Sequence, residues 1–312
     1  MYQNDEVSKE VRSAFREAEK RYQQHWQQSF RYRKGRRQGS KLLAVPTDLS
    51  DVRDSRSPAQ NFTKSITADG RPFLTLPSHP GFILLPEALG KSKQRELAKL
   101  ALTQYPEPPA NTNHTRQFGK LTGLWDAAQK GGPSAQKLLQ KLRWCTLGPQ
   151  FNWTERVYDW HAPYRPLPME LRDLAISLCA SVSGSLPETV AASDWDPDVA
   201  LINYYRSGDT LGGHKDDVEQ DQAAPIVALS LGCSAIFLLG GQTKEEQPIA
   251  IRLHGGDVVI MAGPARMCYH GVPRVLGDDA SSSDANPEDA EYVAFAEHVR
   301  STRINISIRK AG

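Results

Sequence analysis

The sequence predicts a mainly β fold with flanking helices: an antiparallel barrel of the jelly-roll kind behind an N-terminal helical extension. Two observations lead there. The second half of the chain is a series of short apolar runs, ALINYYR, IVALSLG, SAIFLLGG, IAIRLHGG, DVVIMAG and RINISIR, separated by glycine-rich turns. Strands at that density, with little helical pattern between them, imply a sandwich or barrel. The last run alternates Ile304, Ile306 and Ile308 with Arg303, Asn305, Ser307 and Arg309, the two-residue period of a strand with one apolar and one polar face.

From about Asn4 to Phe30, Val7, Val11, Ala14, Phe15, Ala18 and Tyr22 recur at helical spacing and predict a polar helix. It runs into FRYRKGRRQGSK, a basic cluster with Tyr32 inside it. Residues 46–72 are rich in Ser, Asp and Pro without periodicity and read as a linker or extended arm. Residues 1–72 therefore form an N-terminal helix, basic cluster and linker, and a compact domain spans 73–312. Within it FLTLPSHPGFILLPEAL opens as strand, KSKQRELAKLALTQYP is a helix ending before Pro106, and 106–135 is loop-like. The segment at about 140–168 holds six aromatics, Trp144, Phe151, Trp153, Tyr158, Trp160 and Tyr164, among prolines and charges. PMELRDLAISLCASVSG follows as the strongest amphipathic helix, with Leu171, Leu174, Ala175, Leu178 and Cys179 on one face. The barrel core occupies 200–312, and its acidic, low-complexity stretch 277–290 reads as a mobile insertion.

Composition bounds the class. The 312 residues are 39% hydrophobic and 24% charged with net charge +2, which is globular material whose total charge points to no partner. Cys145, Cys179, Cys233 and Cys268 are scattered, without a CxxC pair, which argues against a zinc finger or disulfide framework and fits a reducing compartment. No run reaches the 18 or so apolar residues of a membrane span. The acidic, polar start matches neither a secretory signal nor a typical mitochondrial presequence. The expectation is an intracellular monomer in the cytoplasm and/or nucleus, with the mitochondrion left open.

The chemistry starts at GGHKDDVE. His214 and Asp216 leave the same face of an extended segment and can ligate one metal. A His-x-acid pair alone is weak, since roughly one is expected by chance in such a composition. His270 strengthens it, because it follows a DVVIM strand that turns through Gly263–Pro264 and returns to the same sheet region. Two imidazoles and one carboxylate on one side of a non-haem iron leave positions open for reaction. The polar face of RINISIR adds Arg303 and Arg309, whose Cα atoms lie on the order of 20 Å apart along an extended strand. Two inward guanidinium groups there frame a space of small-dicarboxylate size, and without acidic neighbours they demand an anionic ligand. Asn203 and Tyr205 alternate inward on the strand leading to His214 and offer neutral hydrogen bonds to the same ligand.

Together NYYRSGDTLGGHKDD, SAIFLLGG, HGGDVVIMAG…CYHGVPRV and RINISIR resemble the AlkB family of Fe(II)- and 2-oxoglutarate-dependent nucleic-acid dioxygenases. With LRWCTLGPQFNWTERVY and PLP upstream, the pattern over residues 73 to 312 resembles the eukaryotic branch called AlkB homologue one. The resemblance implies a double-stranded β-helix (jelly-roll) barrel. It implies His214, Asp216 and His270 as ligands of Fe(II), and Asn203, Tyr205, Arg303, Asn305 and Arg309 as the residues holding 2-oxoglutarate. It further implies that O2 and 2-oxoglutarate are consumed while an N-methyl group leaves a base as formaldehyde, with no catalytic residue beyond the ligands. Ser307 stands where the bacterial pattern has threonine. Val218, flanked by Asp217 and Glu219, stands where the bacterial motif has a base-recognising acid, so base recognition does not carry over.

For substrate, the aromatic segment sits where the family carries its recognition lid. Tyr158, Trp160 and Tyr164 are the stacking candidates, whereas Trp144 and Phe151 read as core. Arg31, Arg33, Lys34, Arg36 and Arg37 suit phosphate contacts or nuclear import. The expectation is oxidative demethylation of nucleic acid, tRNA favoured over DNA because a helical, basic N-terminus suits a structured substrate. A 2-oxoglutarate-dependent protein hydroxylase and a non-catalytic nucleic-acid-binding barrel are the alternatives.

Overall fold

A computed structural model of the chain describes residues 12–33, 36–57, 62–152, 155, 157–188, 190, 194–277 and 290–312. The side chains of residues 30–41 and of Ala290 and Glu291 are not described. The start of the expected N-terminal helix, Lys34, Trp153 and most of the acidic stretch 277–290 therefore lie outside the described residues.

Two sheets face each other. The larger has nine strands in the order Thr63–Ile66, Pro72–Thr75, Phe82–Leu85, Val258–Met261, Ile226–Gly232, Thr302–Arg309, Val199–Arg206, Trp144–Leu147 and Asn111–Thr112. The smaller runs Leu211–His214, His270–Leu276, Ser234–Leu239, Ile249–Leu253 and Arg53–Asp54. Every pairing is antiparallel except that of Arg53–Asp54 with Ile249–Leu253. This is the jelly-roll arrangement expected from the glycine-punctuated strand runs.

Side-chain alternation sorts the core into layers. Ile304, Ile306 and Ile308 point out of the barrel onto helices, packing with Leu97, Ala101 and Leu102 of Lys91–Thr103 and Leu171, Ala175 and Leu178 of Met169–Ser181. Between the sheets, Leu84, Val259 and Met261 meet Ala235, Phe237, Leu239 and Val272. On the outer face of the small sheet, Ile236, Leu238 and Ala250 meet Phe15, Ala18 and Tyr22 of an N-terminal helix, Ala14–Tyr22. The four cysteines are buried thiols, none of them in a disulfide.

Several expected elements differ. The N-terminal helix stops at Tyr22 instead of Phe30, and His25–Arg33 pairs with Arg36–Val45 as an antiparallel hairpin. Trp26, Phe30 and Tyr32 favour strand over helix, and a partner strand follows directly. The 46–72 stretch contributes strands to both sheets. Its Ser55 Oγ donates to the buried Asp257 carboxylate at 2.6 Å, which also accepts from the Glu87 and His254 amides. Within 106–135, Leu124–Gln129 is helical and Pro133–Gln140 follows as a further helix. The helix Ala290–Arg300 was not anticipated.

Candidate active site

The terminal strand Thr302–Arg309 lies in the middle of the large sheet, between Val199–Arg206 and Ile226–Gly232. Register brings Tyr205 opposite Arg303, Asn203 opposite Asn305, and Ser230 beside Asn305 on the other side. All of them share the inward face with Ser307 and Arg309 and line a cavity of about 560 Å³ between the sheets. The polar face that could have been a wet edge is thus an interior wall.

His214, Asp216 and His270 line the same cavity, and one ligand atom from each lies within 4.8 Å of the others. His214 and His270 are cross-strand partners, with ring centroids 4.4 Å apart. Each Nδ1 sits against a backbone carbonyl, that of Gly212 at 3.0 Å and that of Cys268 at 3.2 Å. A carbonyl only accepts, so each Nδ1 carries the proton and each Nε2 offers its lone pair toward Asp216, 3.9 Å and 3.7 Å away. Burial pushes the His270 imidazole down to about 4, reinforced by His214, which keeps it neutral as a ligand requires. Burial opposes ionisation of Asp216, but the Arg309 guanidinium 3.0 Å away outweighs it and holds the carboxyl below its ordinary range. The donor set of two imidazoles and one carboxylate fits a divalent transition metal with open positions.

The two arginines are not equivalent. Arg309 is bound to acids, with Nη1 3.0 Å from Asp216 and 3.1 Å from Glu219. The expectation that both guanidinium groups lack acidic neighbours is therefore corrected for Arg309. Arg303 fits it. It is 2% exposed, its Nη2 donates to Ser230 Oγ at 2.9 Å, and its Nε is buried without a hydrogen-bond partner. Among the described residues it makes no ion pair within 4 Å. A desolvated guanidinium of this kind calls for an anion.

Glu219 ties the cavity-wall residues Arg309 and Tyr158 to Arg266 and was not singled out from sequence as a functional residue. It is 2% exposed and accepts from Arg309, from Arg266 Nη2 at 2.9 Å and from the Tyr158 hydroxyl at 2.9 Å. Arg266, equally unforeseen, also donates to the carbonyls of Asp216 and Ala224. No local pattern marks these residues, because their partners lie 42 to 90 positions away.

Of the stacking candidates, Tyr158 lines the cavity and packs edge-on against Phe151 at 5.1 Å. Both belong to a short hairpin, Gln150–Asn152 with Val157–Asp159. Trp160 is 44% exposed and pairs with Tyr164 at 6.5 Å; neither lines the cavity. Trp144 and Phe151, expected as core, do line it. Asp217 and Val218 lie on its wall as well. Arg31, Arg33, Arg36 and Arg37 fall at the turn end of the N-terminal hairpin, where only the backbone is described.

A family model described as the 2OG-Fe(II) oxygenase superfamily matches residues 81–309, the span that contains both sheets' central strands and every cavity residue named above. The chain belongs to this superfamily, whose members use Fe(II), 2-oxoglutarate and O2. Among relatives, a protein of Arabidopsis thaliana named DNA N(6)-methyladenine demethylase ALKBH1A is 36% identical over 99% of both chains. A fission yeast (Schizosaccharomyces pombe) protein named tRNA demethylase abh1 is 31% identical over 73% of this chain and 80% of its own. A solved structure described as that of OsALKBH1 matches with a TM-score of 0.52 at 22% identity, over 74% of this chain and 97% of that one, and supports the fold. Within the superfamily the chain falls in the AlkB family, in its AlkB homologue one branch.

Proposed function

We propose that the protein is an Fe(II)- and 2-oxoglutarate-dependent dioxygenase that oxidatively demethylates N-methylated bases in nucleic acid, tRNA ahead of DNA. The observation that carries the reading is the buried Arg303 guanidinium, which has no ion pair among the described residues, in the same cavity as the His214–Asp216–His270 cluster. An open-sided metal set beside a buried, anion-seeking arginine is the pairing that a chelating dicarboxylate requires. The names of two relatives, one for DNA and one for tRNA, support nucleic acid as the substrate class.

With Fe(II) bound, the site would let O2 oxidise both substrates, one oxygen atom entering the methyl C–H bond and the other the succinate formed as 2-oxoglutarate loses carbon dioxide. This chain's residues hold and orient. His214, Asp216 and His270 would hold the metal. Arg303, steadied by Ser230, takes the distal carboxylate, and Asn203, Tyr205 and Asn305 orient the cosubstrate from neighbouring strands. Arg309 fixes the Asp216 carboxylate and is itself fixed by Glu219. The methylated base enters from the side of Trp144, Phe151 and Tyr158, whose rings offer stacking surfaces. The basic cluster at Arg31, Arg33, Lys34, Arg36 and Arg37 contacts phosphates, and the protein acts as a monomer.

The test is mass spectrometry of nucleosides after incubation of the protein with bulk methylated tRNA and DNA, with and without 2-oxoglutarate. The reading expects 2-oxoglutarate-dependent loss of one methylated nucleoside, abolished by His214→Ala. No loss from either pool, alongside succinate production stimulated by protein extract, favours a protein hydroxylase instead.

A further inference from the structure

We infer that the N-terminal helix Ala14–Tyr22 is a built-in brace of the metal site, and that Glu19 is a positioning residue acting through the backbone of Gly213. The inference rests on the metal site proposed above and assigns it a determinant nearly 200 residues away in sequence.

Leu211–His214 is the edge strand of the small sheet, and its pairing with His270–Leu276 is irregular. Leu211 faces Val272 and His214 faces His270, so two residues, Gly212 and Gly213, oppose the single Gly271. Such a bulge leaves a backbone amide outside the ladder, next to the first metal-ligand candidate. Glu19 meets it. Its Oε1 accepts from the Gly213 N–H at 2.6 Å, while its Oε2 pairs with Arg16 at 2.7 Å. Glu19 is 5% exposed, so this carboxylate is spent inside the fold and not on a solvated helix face.

The apolar side of the helix closes the same contact. A Cβ on Gly213 would lie 2.4 Å from the Phe15 ring, and one on Gly240 would lie 2.8 Å from it. Both glycines are therefore the floor on which Phe15 sits. Phe15 donates its amide to the Lys244 carbonyl at 2.9 Å, and its ring stands 6.2 Å from that of Tyr269, the neighbour of His270. The helix packs across Leu211–His214, Ser234–Leu239 and His270–Leu276, touching both histidine-bearing strands from behind. An edge strand with a bulge is free to slide or peel. A charge-assisted hydrogen bond and a seated ring fix the offset that sets His214 opposite His270. Groups that orient metal ligands from outside are typically worth 10- to 100-fold in metal affinity.

The experiment titrates full-length protein with Co(II), in the presence of 2-oxoglutarate and below the unfolding temperature, by calorimetry and by visible absorption. Glu19→Ala is expected to weaken Co(II) binding about tenfold or more and to alter the absorption of the bound ion. Glu19→Gln keeps the acceptor oxygen and is expected to recover most of the affinity. Wild-type affinity in a folded Glu19→Ala, or no recovery in Glu19→Gln, overturns the inference. Should Glu19→Ala not fold, amide exchange in the wild-type chain decides: the Gly213 N–H is expected to be protected, and rapid exchange there overturns it. A wild-type chain that binds no Co(II) overturns the site reading itself, and is thus distinguishable from a variant that binds as tightly as wild type.

Discussion

Arg303 and Arg309 stand six positions apart on one strand and face one cavity, yet their electrostatics are opposite. Burial works against both guanidinium groups. For Arg309, Asp216 and Glu219 outweigh it and raise its pKa, whereas for Arg303 burial wins and lowers it. Arg303→Ala is therefore expected to raise the 2-oxoglutarate KM about 100-fold. It should also leave the unliganded protein as stable as wild type or more so, since it removes an uncompensated buried charge. A thermal scan checks both halves: 2-oxoglutarate raises the wild-type midpoint and leaves the variant's unmoved. Glu219 is the converse case. Glu219→Gln removes the charge beneath two buried guanidinium groups and is expected to cost about 3–5 kcal/mol, read from urea unfolding. A loss below about 1 kcal/mol would show that Arg266 and Arg309 find other partners.

Among elements, the hairpin carrying Phe151 and Tyr158 lines the cavity from outside the two main sheets. Its only described polar tie from Tyr158 into the cavity is the hydroxyl bond to Glu219. Tyr158→Phe keeps the ring and drops that tie, so the nucleic-acid KM is expected to rise severalfold while the 2-oxoglutarate KM stays within twofold. Equal changes in both would place Tyr158 in the cosubstrate site instead. What could be read from the sequence also divides by element. The barrel strands of the second half were legible because most are short apolar runs followed closely by glycine, and the inward face of Thr302–Arg309 because alternation is local; the strands before Pro72 lack that pattern and were not. The direction of the lid aromatics was not, since hairpin register and not composition turns Tyr158 inward and leaves Trp160 outside. The helix was read too far past Tyr22 because alternation within HWQQSFRYR is masked by glutamines on both faces. Glu219, Arg266 and Ser230 were invisible as site residues because their roles depend on partners that only the closed barrel brings near.

For the whole molecule, two imidazoles, His270 buried and His298 half-buried, set a pH dependence of stability. Burial pushes both His270 and His298 down to about 4, with His214 and Arg206 respectively adding to the effect, from an ordinary value of 6.5. Above pH 6.5 neither state is protonated and nothing is lost. As pH falls from 6.5 toward 4, the unfolded chain takes up protons that the folded chain refuses, so metal-free stability declines across that window. His298 lies against Trp125, away from the cavity, so His298→Gln is expected to flatten the decline without touching the metal set. An unchanged slope of urea midpoint against pH in that variant would contradict this. The same closed barrel stacks its helices behind Ile304, Ile306 and Ile308 and thereby turns the polar residues of that strand toward the cavity shared with His214, Asp216 and His270.

The proposed function puts a metal on His214, Asp216 and His270 and a dicarboxylate on Arg303 in one cavity. The direct measurement is an anaerobic titration of Fe(II)-loaded protein with 2-oxoglutarate, followed by visible absorption. A saturable charge-transfer band in the wild type, absent in His214→Ala and displaced to much higher 2-oxoglutarate in Arg303→Ala, is the expected result. No band in the wild type, or an Arg303→Ala titration that overlays it, would rule out this pairing of metal and dicarboxylate sites.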